Sequence, residues 1–124
     1  MILLIHEDPA WREAFRKALI KVGQQSIIEA ATISTAEPYV VFHKLTHIIT
    51  GIRVSYNNGN AAVNCEPIFN FVCWLSANGF SGKIVLTHCY LLDDSESRIR
   101  KLRLLANVTV ADSYNFVQYA HLFL

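Results

Sequence analysis

The sequence has little cysteine, glycine or proline, the residue types that mark disulfide-rich secreted domains and extended linkers. Its 124 residues include five glycines, three prolines and three cysteines. The cysteines, Cys65, Cys73 and Cys89, are odd in number and lack the spacing of metal ligands, which favours reduced thiols in a cytoplasmic protein. Cys73 lies in an apolar helical pattern, so we expect it in the core.

The chain also lacks a dominant charge and a long hydrophobic run. Its net charge is +1, which argues against broad nucleic-acid binding. No apolar run reaches the roughly 18 residues of a membrane-spanning helix. The first residues, Met-Ile-Leu-Leu-Ile-His, lack the basic segment that opens a signal peptide. These absences predict a cytoplasmic domain with no membrane association and no direct contact with nucleic acid.

What the chain does have is a high proportion of apolar residues. Hydrophobic residues make up 52% of the sequence and charged residues 17%, a balance that excludes a disordered chain. Such a composition suits a sheet that is buried on both faces. The length is that of one domain, so residues 1–124 are expected to fold as a single unit.

Short apolar runs alternate with helical patterns along the whole chain, and each run is typical of a buried strand. Strands are predicted at residues 2–5, 26–31, 46–50, 83–87 and 107–110. Helices are predicted to begin near Pro9, Ala36, Pro67, Asp93 and Ser113. Five βα units predict an α/β protein with a parallel sheet and helices on both faces.

Two of these boundaries have clear chemical signals. Asp8 can cap the free amides of the first helix, Pro9 suits the first helical position, and Gly23 ends the pattern. Residues 51–66 are the only long irregular stretch, and Asn57-Asn58-Gly59-Asn60 within it predicts a turn.

Three segments together resemble the receiver domain of bacterial two-component response regulators. Residues 2–15, Ile-Leu-Leu-Ile-His-Glu-Asp-Pro-Ala-Trp-Arg-Glu-Ala-Phe, resemble the receiver opening of strand, acidic cluster and first helix. Residues 48–54, Ile-Ile-Thr-Gly-Ile-Arg-Val, resemble the third strand and the segment that carries the phosphorylated aspartate. Residues 83–87, Lys-Ile-Val-Leu-Thr, resemble the fourth strand with its terminal hydroxyl. The resemblance implies a single receiver-like domain with a flavodoxin-like (CheY-like) three-layer α/β/α fold and strand order 2-1-3-4-5.

The resemblance also identifies what a receiver needs and this chain lacks. Gly51 stands where the acceptor aspartate is expected, and no Asp or Glu occurs in residues 39–65. His6 and Glu7 stand at the acidic pair that holds Mg²⁺, and imidazole is a poor ligand for that ion. Glu7 and Asp8 would therefore hold Mg²⁺ only weakly, and no cofactor is expected.

The remaining receiver positions lie at the ends of the fourth and fifth strands. Ala111 or Asp112 replaces the lysine that pairs with the phosphoryl oxygens, and Thr87 is the one retained residue. The fifth strand also lacks the aromatic switch residue that many receivers carry. These losses predict a degenerate site at His6, Glu7, Gly51, Thr87 and Ala111.

The leading hypothesis is a non-catalytic interaction module in bacterial signalling or regulation, and not an enzyme. One alternative is a phosphoryl-accepting regulator with an unusual acceptor such as Thr50. Another is a small flavodoxin-like enzyme or ligand-binding domain that uses a pocket near Glu7, Thr87 and His88. Fold alone does not choose among these.

The expected interaction surface combines the fourth helix, the fifth strand and the fifth helix. The last helix is predicted to continue to the C-terminus and is apolar on more than one face, with Phe116, Ala120 and Phe123 facing the sheet. The second face and its basic rim consist of Val117, Tyr119, Leu122, Arg98, Arg100, Lys101 and Arg103. An apolar centre with a basic rim suits a homodimer or an acidic protein partner. The alternatives are a solvated basic face and a buried edge helix.

Overall fold

The computed structural model describes residues 1–88 and 93–124, and its centre is a five-stranded parallel sheet in the order β2-β1-β3-β4-β5. The strands are β1 Ile2–Ile5, β2 Ile27–Ala30, β3 His47–Gly51, β4 Lys83–His88 and β5 Val108–Asp112. The helices are α1 Pro9–Lys21, α2 Ile33–Phe42, α3 Glu66–Ala77, α4 Asp93–Arg103 and α5 Ser113–Gln118, and a 3₁₀ turn spans Ala120–Phe123. The predicted α/β class and strand order are confirmed. Cys89 lies outside the described residues.

The sheet is buried on both faces, as the apolar composition predicts. One core contains Leu3 and Ile5 with side chains from α2, α3 and α4. The other contains Ile2 and Leu4 with side chains from α1 and α5. Alternate residues of one strand point to opposite faces, so a continuous apolar strand fills both layers. Within the described parts of the chain, no helix is long and apolar enough to cross a membrane.

Helix α1 begins as its sequence predicts. The Asp8 side chain accepts a hydrogen bond from the Ala10 amide at 2.9 Å, and Pro9 occupies the first turn. Gly23 follows the helix with a φ of 93°, a left-handed conformation that glycine adopts without steric cost. The cap at Asp8 and the turn at Gly23 thus define both ends of α1, and the residues that follow β1 lie at its start.

Helix α2 begins at Ile33, earlier than the Ala36 start that the sequence suggested. The side chain of Thr32 caps it by accepting from the Thr35 amide at 3.2 Å. The Ile33 and Ser34 amides donate to the main-chain oxygens of residues 55 and 56, at 3.1 and 2.7 Å. Free amides at the helix start are therefore satisfied by a distant segment, which local sequence does not reveal.

The predicted continuous helix from Ser113 to Leu124 is wrong, because α5 ends at Gln118 and the chain tightens into a 3₁₀ turn. The Leu122 amide donates to the Tyr119 carbonyl at 2.9 Å, an i to i+3 bond. The tighter turn still buries Ala120. The main-chain oxygen of Leu124 accepts from Lys83 Nζ at 2.8 Å, which ties the segment to the start of β4.

The expectation that Cys73 belongs to the core is also wrong. Phe71, Val72 and Leu75 of α3 are buried as predicted, but Cys73 is exposed. At about 100° per residue, position 73 points away from the stripe formed by residues 71 and 75. The buried cysteine is Cys65, just before the helix.

Candidate functional site

The carboxyl ends of the strands bring together most of the site residues that the sequence predicts. Gly51 of β3 pairs in register with Thr87 of β4, and Thr87 pairs with Ala111 of β5. His6 and Glu7 follow β1, the neighbour of β3. They border a cleft of about 200 Å³, called here the carboxyl-edge cleft, which is lined by His6, Glu7, Trp11, Gly51, Ile52, Arg53, Ala61, Thr87, His88 and Ser113. Ala111 does not line it, because its side chain packs in the core beneath α5.

The imidazole of His6 fills the space above Gly51. A Cβ atom on residue 51 would lie 2.7 Å from His6 Cδ2 and 3.2 Å from His6 Nε2. A contact of 2.7 Å is shorter than carbon atoms tolerate. Any side chain on residue 51 would therefore meet the ring of His6, the residue that follows β1.

Hydrogen bonding fixes the form of the His6 ring. The Asp8 amide donates to His6 Nδ1 at 3.0 Å, so Nδ1 is the acceptor and the neutral ring carries its proton on Nε2. Burial lowers the pKa of His6 below its usual value and outweighs the opposing charges of Glu7 and Asp8. At neutral pH the residue in this position is an uncharged imidazole.

The hydroxyl groups at the strand ends are engaged inside the protein. Thr87 Oγ1 donates to the Thr50 carbonyl at 3.2 Å, and Thr87 is 2% exposed. Thr50 Oγ1 donates to the Gly51 carbonyl at 3.0 Å and is fully buried. Thr50, the alternative acceptor suggested by the sequence, thus lies beneath the cleft surface with its hydroxyl already used.

The two carboxylates after β1 do not act as a pair. Asp8 caps α1 and does not line the cleft. Glu7 Oε2 is buried without a hydrogen-bond partner, 3.5 Å from His6 Nδ1. Only one of the two carboxylates therefore borders the cleft. The described residues contain no group of three or more His, Cys, Asp or Glu side chains placed to hold a metal ion.

The cleft also holds cationic or basic groups. His88 follows Thr87, and its Nδ1 atom is buried without a hydrogen-bond partner. Burial lowers the pKa of His88, although Asp112 acts in the opposite direction. Arg53 lines the same cleft two residues after β3, a place that sequence reasoning did not select. Its position two residues beyond a strand end was the available signal.

A continuous stack of rings connects the cleft to the C-terminal segment. His6 stacks on Trp11 with ring centroids 4.4 Å apart, and Trp11 stacks on Phe15 at 3.8 Å. Phe15 stacks on Phe116 of α5 at 4.7 Å, and Phe116 stacks on Phe123 at 5.5 Å. This aromatic stack was not predicted as a unit. The i to i+4 spacing of Trp11 and Phe15 and the predicted common face of Phe116 and Phe123 were its sequence signals.

Most side chains of the predicted interaction surface are exposed. Arg100, Lys101 and Arg103 of α4 are exposed. The apolar residues of the C-terminal segment are exposed as well: Val117 by 40%, Tyr119 by 49% and Leu122 by 70%. Leu104 and Tyr114, which the sequence did not single out, add exposed apolar area near α4 and α5.

Arg98 is directed toward α3. Its Nη2 atom lies 3.9 Å from Glu66 Oε2 of α3. At about 100° per residue, Arg100 and Arg103 are more than a third of a turn away from Arg98 around α4. The basic rim on the side away from α3 is therefore formed by Arg100 and Arg103, with Lys101 between the two sides.

No protein-family model matches the chain, and no curated protein matches it in sequence. Solved structures do match. The non-phosphorylated receiver domain of the stress response regulator RcsB from Escherichia coli is 9% identical, with a TM-score of 0.73 over 97% of this chain and 86% of that chain. A CheY-like receiver domain protein from Methanospirillum hungatei is 11% identical, with a TM-score of 0.69 over 97% of this chain and 89% of that chain.

A third match supports the same fold. The signal receiver domain of a putative Luxo repressor protein from Vibrio parahaemolyticus is 11% identical, with a TM-score of 0.68 over 98% of this chain and 87% of that chain. At such low identity the similarity shows the fold alone. The chain has the CheY-like flavodoxin fold of response-regulator receiver domains.

Proposed function

We propose that this chain is a receiver-like module of bacterial two-component-type signalling that works through protein contacts and without aspartyl phosphorylation. The observation that carries the proposal is the His6 ring above Gly51, where a Cβ atom would meet His6 Cδ2 at 2.7 Å. Position 51 therefore has no carboxylate to take a phosphoryl group, and a side chain there would fit only if the His6 ring moved.

The rest of the site supports the same interpretation. Phosphoryl transfer to a carboxylate requires a nucleophile, a divalent cation and a cation that neutralises the phosphoryl oxygens. Residue 111 is a buried alanine, and Asp8 is committed to the start of α1. The nucleophile at the end of β3 and the cation at the end of β5 are thus missing, and His6 replaces one of the two acidic residues after β1.

The proposed contact surface is the side of the molecule formed by α4, β5 and α5. The exposed side chains of Val117, Tyr119 and Leu122 form its apolar part, and Arg100 and Arg103 its basic part. Exposed apolar side chains beside charged ones are typical of protein interfaces. The surface would take a second copy of the chain or an acidic protein partner.

The two other functions of the sequence hypothesis have less support. A phosphorylated Thr50 would require exposure of a fully buried hydroxyl. A ligand pocket at Glu7, Thr87 and His88 would have about 200 Å³, less than the roughly 300 Å³ at which ligand pockets usually begin.

The experiment is incubation with acetyl phosphate and Mg²⁺ followed by intact-mass analysis. We expect no added phosphate, while a receiver that retains its acceptor aspartate should gain one under the same conditions. Beryllofluoride with Mg²⁺ should likewise leave the amide NMR spectrum of this chain unchanged. A substantial adduct that maps to a carboxylate would overturn the proposal.

A further inference from the structure

A second and larger cleft lies between α2, α3 and the irregular segment that joins β3 to α3. Its volume is about 780 Å³, within the range of small-molecule sites. Ala61 is the only described residue that lines both this α2–α3 cleft and the carboxyl-edge cleft. The two clefts therefore adjoin at Ala61 and are otherwise lined by different side chains.

The walls of the α2–α3 cleft are joined by main-chain hydrogen bonds. Ile33 and Ser34 donate to the oxygens of Ser55 and Tyr56, which attaches the irregular segment to the start of α2. At the other end, the Glu66 amide donates to Asn64 Oδ1 at 2.9 Å as α3 begins. The bonds between α2 and the irregular segment fix these two walls before a ligand arrives, which reduces the entropy lost on binding.

The described side chains that line the α2–α3 cleft carry only negative charge. Glu37 and Glu66 are the only charged side chains among the described residues that line it, and both are acidic. Glu66 is 3.9 Å from Arg98, whereas Glu37 Oε1 is buried and has no hydrogen-bond partner. A carboxylate oxygen removed from water without a partner is costly, and a cation in the cleft would remove that cost.

Two aromatic side chains, Tyr56 and Trp74, line the same cleft as Glu37. Trp74 stacks on the buried ring of Phe71, with centroids 5.9 Å apart and planes within 15°, so its indole is held in place. Tyr56 is half-exposed, and its pKa is raised because its hydroxyl hydrogen-bonds to the Glu37 carboxylate. Aromatic faces attract ammonium groups and also pack against apolar ligand bodies.

We propose that the α2–α3 cleft binds a small organic amine, a primary ammonium group on an aromatic or apolar body. Glu37 is its counter-ion, and Tyr56 and Trp74 contact its body. The amide side chains of the wall, including Asn70, provide acceptors for the remaining ammonium protons. None of these residues lines the carboxyl-edge cleft, so the amine proposal does not rest on the function proposed above.

The test is a titration of the full chain with 2-phenylethylamine, followed by amide and indole NMR shifts. We expect saturable shifts at residues 33–37, 55–67 and the Trp74 indole. The neutral analogue 2-phenylethanol should bind roughly tenfold more weakly, the usual effect of losing one charge-assisted hydrogen bond. Glu37→Gln should reduce amine affinity to the level of the alcohol.

Control variants separate binding from folding. Glu13→Gln on α1, where the carboxylate is exposed and pairs with Lys17, should bind the amine like the wild type. Tyr56→Ala removes the ring at an exposed position, so it should weaken amine binding even if Glu37→Gln disturbs the fold. No saturable shifts, equal binding of amine and alcohol, or wild-type affinity in folded Glu37→Gln would each overturn the proposal.

Discussion

At the scale of single residues, the contact between His6 and Gly51 decides what the carboxyl-edge cleft can hold. Gly51→Asp, the change that would restore an acceptor, places a side chain against the His6 ring. We expect this substitution to lower the free energy of unfolding by about 1–3 kcal/mol, the usual cost of inserting extra atoms into filled space. Urea denaturation measures the change.

Two comparisons show whether that loss comes from the ring. Gly59→Asp is the matched control, because a Cβ atom there meets no atom within 4 Å and its stability should stay near that of the wild type. In a His6→Ala background, Gly51→Asp should cost less than in the wild type, which gives a measurable coupling. Equal stabilities of the Gly51 and Gly59 variants would contradict the contact.

The histidines of the cleft make stability depend on pH. Burial holds the pKa of His6 and His88 below the usual 6.5, so the unfolded chain binds these protons more readily than the folded chain. The stability that these neutral histidines contribute is fully present above pH 6.5. It is lost as the pH falls toward their pKa values in the folded state.

The melting temperature, followed by circular dichroism, should therefore fall on acidification through pH 6.5, and His6→Asn should reduce the fall. A wild-type melting temperature that rises on acidification over this range would contradict the assignment.

At the scale of secondary-structure elements, Asp8 is a helix cap. Its carboxylate accepts from the Ala10 amide at 2.9 Å. Asp8→Ala should lower the free energy of unfolding by about 1 kcal/mol, and Asp8→Asn should be nearly neutral because an amide oxygen also caps a helix. Chemical denaturation of both variants tests this. If Asp8→Asn were as harmful as Asp8→Ala, the carboxylate charge would matter instead of the cap.

The elements that the sequence predicted well are those with local signals. The run Ile2–Ile5 predicts a buried strand, and Asp8-Pro9 predicts the start of α1 without reference to the rest of the chain. Helix α2 starts early because its amides bond to residues 55 and 56, more than twenty positions away. The end of α5 was missed because Ala120 and Phe123 keep an apolar spacing that a helix and a 3₁₀ turn both satisfy.

The candidate site was likewise predictable only where local sequence signals place its residues. The segments that resemble a receiver placed Gly51 and Thr87 at one edge, and strand register alone brings them together. That His6 covers Gly51 depends on the ring's rotamer and its stacking on Trp11, which no residue pattern specifies. The α2–α3 cleft was not predicted, because its walls come from segments that only the fold brings together.

At the scale of the whole molecule, the surface of α4, β5 and α5 is expected to control association. Leu122 is 70% exposed, so Leu122→Glu should reduce self-association or partner binding and leave the fold intact. Light scattering over a range of concentrations, with circular dichroism, measures both. Gln118→Glu adds the same charge at an exposed polar neighbour and should have a smaller effect. A wild type that stays monomeric at high concentration would exclude the homodimer and leave the acidic partner.

The aromatic stack gives the molecule an intrinsic optical probe. The indole of Trp11 lies between the rings of His6 and Phe15, at centroid distances of 4.4 and 3.8 Å. A charge on the imidazole would act directly on the excited indole, because the two rings are in contact. The fluorescence of a Trp74→Phe variant would come from Trp11 alone, so the protonation state of the cleft could be followed without any attached dye.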